Sequence, residues 1–183
     1  MSAEIVVSDQ SSAAYARKRL LQGLRGLSPA RAGAHVDRSA LRYLTPEQRA
    51  RFDELPTFDQ QHLCRVANQL IADGVTDPDV IVAGLLHDIG KCDGERCVRL
   101  PDRIGKVVLK RFAPGTLQEV ADAYPSGHFA GLALTVRHPE LGAGIAHELG
   151  CSERTCWLIR HHEAEGDLDD PDLALLQDAD FAS

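Results

Sequence analysis

The sequence predicts an all-α protein. Three observations carry that expectation. An apolar stripe recurs at helical spacing through Leu63, Val66, Ala67, Leu70 and Ile71, helix-starting caps stand at Thr45, Asp77 and Ser152, and no segment shows clean strand alternation. A length of 183 residues sets the expectation of one main domain with a full hydrophobic core. There is no internal repeat and no low-complexity tract.

Residues 1–50 read as an N-terminal extension with one or two helices, and residues 51–183 as the main domain. Ser11 to about Leu24 mixes small, basic and apolar residues at helical spacing, before Gly23, Gly26 and Pro29 interrupt the pattern. Thr45-Pro46-Glu47-Gln48 then forms a capping box with proline at the first helical position, opening a helix that ends near Leu55-Pro56. The spacing predicts a longer helix over Phe58–Asp73, closed by Gly74, with His62 on its core side through Val66 and Leu70. Asp77-Pro78-Asp79 supplies a cap, a first-turn proline and a first-turn acid. The run Val80-Ile81-Val82 therefore reads as the start of a central helix, apolar nearly all round. His87 and Asp88 fall in its last turn, and Gly90 is expected to release the chain.

Cys92 to Leu100 reads as a polar loop. Pro101 to Phe112 is amphipathic, with Ile104, Val107, Val108 and Leu109 expected inward. Pro114 opens another helical stretch, broken at Tyr124-Pro125-Ser126-Gly127. A further helix is expected from His128 to Arg137, with a restart at His138-Pro139, because a residue before proline is pushed out of the helical region. The second part would run to Leu149-Gly150, with Leu141, Ile145 and Leu149 inward. Ser152 caps the next helix, which buries Trp157 and Leu158 and carries His161 and His162. Adjacent residues on a helix diverge by about a hundred degrees, so only one of the two can point straight at a given ion. The last helix places Asp180 on the face of Leu173 and Leu176, with Asp178 as its rival.

Composition narrows the function classes. The net charge of −7 argues against a nucleic-acid partner held by bulk electrostatics, and no apolar run reaches membrane-spanning length. Met1 to Gln10 has two acidic residues and no basic one, unlike a signal peptide. Five cysteines are expected to be reduced thiols of a cytoplasmic protein. Cys92/Cys97 and Cys151/Cys156 share a five-residue spacing, but residues five apart on a helix do not share a face, which argues against a zinc site. Between Lys91 and Arg111 basic residues outnumber acidic ones, and Lys91, Arg99 and Arg103 are the candidates for an anion-attracting rim.

The chemistry centres on His87-Asp88-Ile89-Gly90-Lys91. An imidazole and a carboxylate at the end of a buried run are costly unless compensated, and a metal ion is the cheapest compensation. Further ligand types stand at His62, His138, His161, His162 and Asp180. His35, His128 and His147 fit no ligand set.

From about residue 58 to 183, this order of His62, His87-Asp88, His138-Pro139, His161-His162-Glu163 and Ala179-Asp180 resembles the HD-domain superfamily of metal-dependent phosphohydrolases, in its two-metal branch. The resemblance implies an HD-domain-like helical bundle and two divalent ions per chain (Mn, Fe, Co, Ni, Zn or Mg). It implies a first ion on His62, His87, Asp88 and Asp180, and a second on Asp88, His138 and His161 with His162 beside it. Two carboxylates neutralise one divalent ion, so a second ion leaves about two positive charges for an anionic substrate. The implied reaction is hydrolysis of a phosphomonoester, nucleotide or phosphodiester by a metal-bound hydroxide, with Asp88 and Lys91 as catalytic residues.

Some family features are missing. The branch that cleaves cyclic di-GMP has a Gly-Tyr-Pro segment where this chain has Glu165-Gly166-Asp167-Leu168. Phe58 stands where trinuclear members have an acidic ligand. The guanosine-tetraphosphate hydrolases have an acidic pair where this chain has Lys91-Cys92-Asp93. Two other functions stay open: a di-iron oxygenase of the same superfamily, and a non-catalytic metal-binding signalling module.

Overall fold

A computed structural model describes residues 36–183 except Glu95 and Asp167; the helix expected over residues 11–24 lies outside them. The described residues form eight α-helices and two 3₁₀ turns. The helices are α1 (Pro46–Asp53), α2 (Thr57–Ala72), α3 (Pro78–Leu86), α4 (Leu100–Phe112), α5 (Pro114–Asp122), α6 (Ala130–Glu148), α7 (Glu153–His161) and α8 (Pro171–Ala182). The 3₁₀ turns are Ser39–Tyr43 and Ile89–Lys91. No described helix is long and apolar enough to cross a membrane.

Local chemistry sets the helix starts. Thr45 and Gln48 close the capping box at α1, and Asp77, Ser152 and Asp170 cap α3, α7 and α8 through their side chains. Every residue of α3 from Val80 to Leu86 is buried. It is packed by α2, α7, α8 and the Ser39–Tyr43 turn, and this fixes the end of α3 within the core of the described residues. Ala40 and Leu41, upstream of α1, belong to the same core.

The structure corrects four expectations. First, α6 does not restart at His138-Pro139; it runs unbroken with Pro139 inside it. Proline lacks the N–H that would bond to the Thr135 carbonyl, and that carbonyl finds other donors, His138 Nδ1 at 3.0 Å and Lys106 Nζ at 2.7 Å. The residues α6 buries near its end are Gly142, Ala143 and Ala146, while Leu141, Ile145 and Leu149 are only half-buried.

Second, α4 buries none of its residues, and Ile104, Val107 and Val108 are exposed. Arg103, Lys106 and Lys110, spaced i, i+3 and i+7, turn one helix face towards Asp59, Glu163 and Glu165 instead. Electrostatic partners, rather than the apolar stripe, orient this helix.

Third, Gly90 does not release the chain. It sits in a 3₁₀ turn pressed against α6, where a Cβ would lie 2.2 Å from the His138 carbonyl oxygen and 2.6 Å from the Gly142 nitrogen. Fourth, Cys92 and Cys97 form a disulfide, while Cys64, Cys151 and Cys156 are free. The expectation of five thiols rested on the odd cysteine count and on a start unlike a signal peptide. The segment is in fact a tight hairpin turn with an antiparallel bridge between the two cysteines and Gly94 at φ 96°.

Candidate metal centre

The fold gathers side chains from five elements around Asp88. His62 comes from α2, His87 and Asp88 from the end of α3, His138 from α6, His162 from the end of α7 and Asp180 from α8. The rings of His62, His87, His162 and His138 form one continuous row, with neighbouring centroids 5.6, 4.8 and 5.1 Å apart. His87, Asp88, His138, His162 and Asp180 are all buried, and His62 is half-buried.

Backbone carbonyls set the protonation of three imidazoles. His87 Nδ1 lies 3.1 Å from the Gly84 oxygen, His138 Nδ1 3.0 Å from that of Thr135, and His162 Nδ1 2.7 Å from that of Ile159. A carbonyl only accepts, so each Nδ1 carries the proton and each Nε2 of a neutral ring presents a lone pair. Gly84 and Ile159 lie in final helical turns, where carbonyls lack intrahelical partners, and Thr135 is freed by Pro139. Each histidine is thus aimed by a carbonyl that the backbone leaves over.

The Nε2 atoms of these three rings and of His62 converge on carboxylate oxygens. His62 Nε2 is 3.0 Å from Asp180 Oδ1 and 3.9 Å from Asp88 Oδ2, and His87 Nε2 is 3.7 Å from the same two oxygens. On the other side, Asp88 Oδ1 lies 3.4 Å from His138 Nε2 and 3.8 Å from His162 Nε2. The two oxygens of Asp88 therefore face two different groups of imidazoles. Lys91 Nζ sits 2.5 Å from Asp88 Oδ2.

This set of donors fits a cation. His87 Nε2 is buried without a hydrogen-bond partner, and His138 Nε2 and His162 Nε2 stand 3.2 Å apart with lone pairs facing. Among the described residues, three groups have ligand atoms within 4.8 Å of one another: His62, His87 and Asp180; His87, Asp88 and His162; and His138, His162 and Glu163. Imidazole nitrogen with carboxylate oxygen suits divalent first-row metals.

Ionisation differs between the two sides. Burial raises the carboxyls of Asp88 and Asp180, but facing cations and imidazoles hold both well below the usual carboxylate range. Burial also disfavours charged His87, yet Asp88 and Asp180 outweigh it and its pKa rises. His138 is lowered, chiefly by burial, and His162 is driven to about 3 by burial and the neighbouring His87 and His138. The facing carboxylates thus favour a proton on His87, whereas burial disfavours one on His138 and His162.

Of the adjacent histidines, it is His162 that joins the cluster and not His161. His161 stacks on Trp157 with centroids 4.4 Å apart, and its Nδ1 bonds the Trp157 carbonyl at 2.8 Å. His162 follows Leu158 by four residues, on the buried side of α7. Arg99 is exposed, and the Arg103 guanidinium is held by Asp59 Oδ1 at 2.6 Å. Asp178 is exposed, and so are His128 and His147; His35 lies outside the described residues.

Two residues near the site, Lys106 and Asp59, were missed in the sequence, and Glu163 was legible there only as part of the family motif. Glu163 Oε1 lies 4.0 Å from His138 Nε2 and belongs to the third ligand group. Lys106 clamps Glu163, and buried Asp59 holds Arg103. Their signal was the i, i+3, i+7 row of cations on α4, which the apolar stripe overshadowed.

Comparison with known families decides the relationship. The family model described as HD domain matches residues 60–181, well over half of the chain. The chain belongs to the HD-domain family. No curated protein and no solved structure gives a significant match to this HD-domain chain. The all-α architecture is that of the family, whose members bind divalent metals and include many hydrolases.

Proposed function

We propose that this HD-domain protein is a metal-dependent phosphohydrolase that holds two divalent ions per chain and acts on a small phosphorylated substrate. A phosphomonoester, a nucleotide or a phosphodiester fits that description. The observation that carries the proposal is the division of Asp88, one oxygen towards His62 and His87 and the other towards His138 and His162. One pocket takes His62, His87, Asp180 and Asp88 Oδ2; the other takes Asp88 Oδ1, His138 and His162. Bound ions supply Lewis acidity and make a water acidic near neutral pH.

The remaining work falls to the chain. Asp88 orients both pockets through one rigid carboxylate. The Lys91 ammonium at its edge binds the negative oxygens of the substrate and stabilises charge that spreads over them. Arg103 supports this rim from its ion pair with Asp59, three residues before His62. The burial of His87, His138 and His162 excludes water and strengthens each of these interactions.

The test is turnover without oxygen. Protein purified anaerobically should contain two divalent ions per chain by elemental analysis and release phosphate from a phosphoester panel in the absence of oxygen. Turnover that stops without oxygen would assign the di-iron oxygenase chemistry. Metal-loaded protein inert under both conditions would assign a signalling module.

The two adjacent histidines give a sharper contrast. In calorimetric titration with Mn²⁺, His162→Ala should weaken the second ion by more than about a hundredfold, while His161→Ala should keep both ions. The reverse pattern would exchange the roles of the two rings.

A further inference from the structure

A carboxylate next to the His138–His162 pocket is already claimed by a lysine. Lys106 Nζ lies 2.6 Å from Glu163 Oε2, 2.9 Å from Glu163 Oε1 and 2.7 Å from the Thr135 oxygen. All three N–H bonds of the ammonium are thereby used, and both oxygens of Glu163 face it. The same Glu163 has an oxygen within 4.8 Å of the ligand nitrogens of His138 and His162. Glu163 is thus offered to two cations at once, the ammonium and any ion held by those imidazoles.

Both cannot keep it fully. A divalent ion beside His138 would draw on Glu163 and repel an ammonium a few ångströms away, in surroundings that screen charge poorly. Lys106 can give way, because α4 buries none of its residues and is held on this face by the ion pairs of Arg103, Lys106 and Lys110. Lys91 on Asp88 Oδ2 has the same relation to the other pocket.

We propose that Lys106 is a built-in competitor of the second divalent ion: it neutralises Glu163 until that ion binds, then surrenders the carboxylate to it. The inference rests on the two-pocket reading given above. It makes the second pocket weaker than it would be without the ammonium. It also ties filling of that pocket to the release of an ammonium beside the site, where an anionic substrate group can take it up.

Calorimetric titration with Mn²⁺, backed by ion counting, tests this on the full chain. Lys106→Met should tighten the second ion at least about tenfold and leave the first unchanged, while Lys106→Arg, which keeps the charge, should behave as wild type. Lys106→Gln carries the same test should the methionine variant not fold. A second ion bound with unchanged or weaker affinity in the neutral variant, beside a wild type that binds two, would overturn the competition alone. Wild-type protein that never takes up a second ion would overturn the two-pocket reading and this inference with it.

Discussion

Replacing Asp88 with alanine should strip the protein of both divalent ions and lower phosphoester turnover by at least about a thousandfold, or about 4 kcal/mol of barrier. Each of the other candidate ligands faces one side of the site, whereas Asp88 offers an oxygen to each, 3.4 Å from His138 Nε2 and 3.7 Å from His87 Nε2. The variant also leaves Lys91 and the imidazoles without their anion, so the metal-free protein should lose about 3–5 kcal/mol, as when one partner of a buried pair is removed. Asp88→Asn separates the two effects, since it keeps the volume and removes the charge. The Asp88 pKa is held well below normal, so the stabilisation from the ionised form is complete above an unfolded value of about 3.9 and lost as pH falls through the lower folded value. The gap in stability between wild type and Asp88→Asn should therefore persist at neutral pH and close only in strong acid. Elemental analysis, turnover and chemical denaturation of the metal-free proteins check the three parts. Asp88→Ala that retains either ion at full occupancy would remove Asp88 as the shared ligand.

Much of the fold was legible because its helix starts are written in short-range chemistry. Thr45 with Gln48, Asp77 before Pro78 and Ser152 before Glu153 each satisfy backbone groups within a few residues, and no distant contact is needed to interpret them. Two elements escaped that logic. At Pro139 the local rule predicts a break, yet the carbonyl it frees is satisfied by the His138 ring and by Lys106, whose partnership lies 29 residues away in sequence. In α4 the apolar stripe predicts burial of Ile104 and Val108, but the acids that turn the opposite face inward sit on α2 and in the segment after α7. In both, the deciding partner is remote.

The site shows the same division. His87-Asp88 was readable because a charged pair after the buried run of α3 demands compensation, and His62 and Asp180 because each continues an apolar stripe. Choosing between His161 and His162 required the backbone at the end of α7, which directs the second ring towards Leu158 and the core. Glu163 was legible next to them only as part of the family motif, since a glutamate after two histidines has no local reason to face inward until Lys106 arrives from α4.

Gly90→Ala should be strongly damaging although it replaces no candidate ligand. An added Cβ would lie 2.2 Å from the His138 oxygen and 2.6 Å from the Gly142 nitrogen, and both are backbone atoms that no rotamer change can move. The Ile89–Lys91 turn must back away from α6 by more than an ångström to reach ordinary contact. A loss of about 2–4 kcal/mol is expected, roughly a 5–15 °C fall in Tm for a chain of this size. The same displacement pulls Asp88 away from His138, so the second ion should be lost before the first. Gly144→Ala is the control on the same helix: nothing lies within 4 Å of its added methyl, and alanine should stabilise α6 by roughly 0.5–1 kcal/mol. Thermal melts of the metal-free variants and Mn²⁺ titrations read both effects. A Gly90→Ala protein with wild-type Tm and both ions bound would mean that the turn and α6 do not meet as closely as the structure has them, and the aim of His138 at Asp88 would then need another cause.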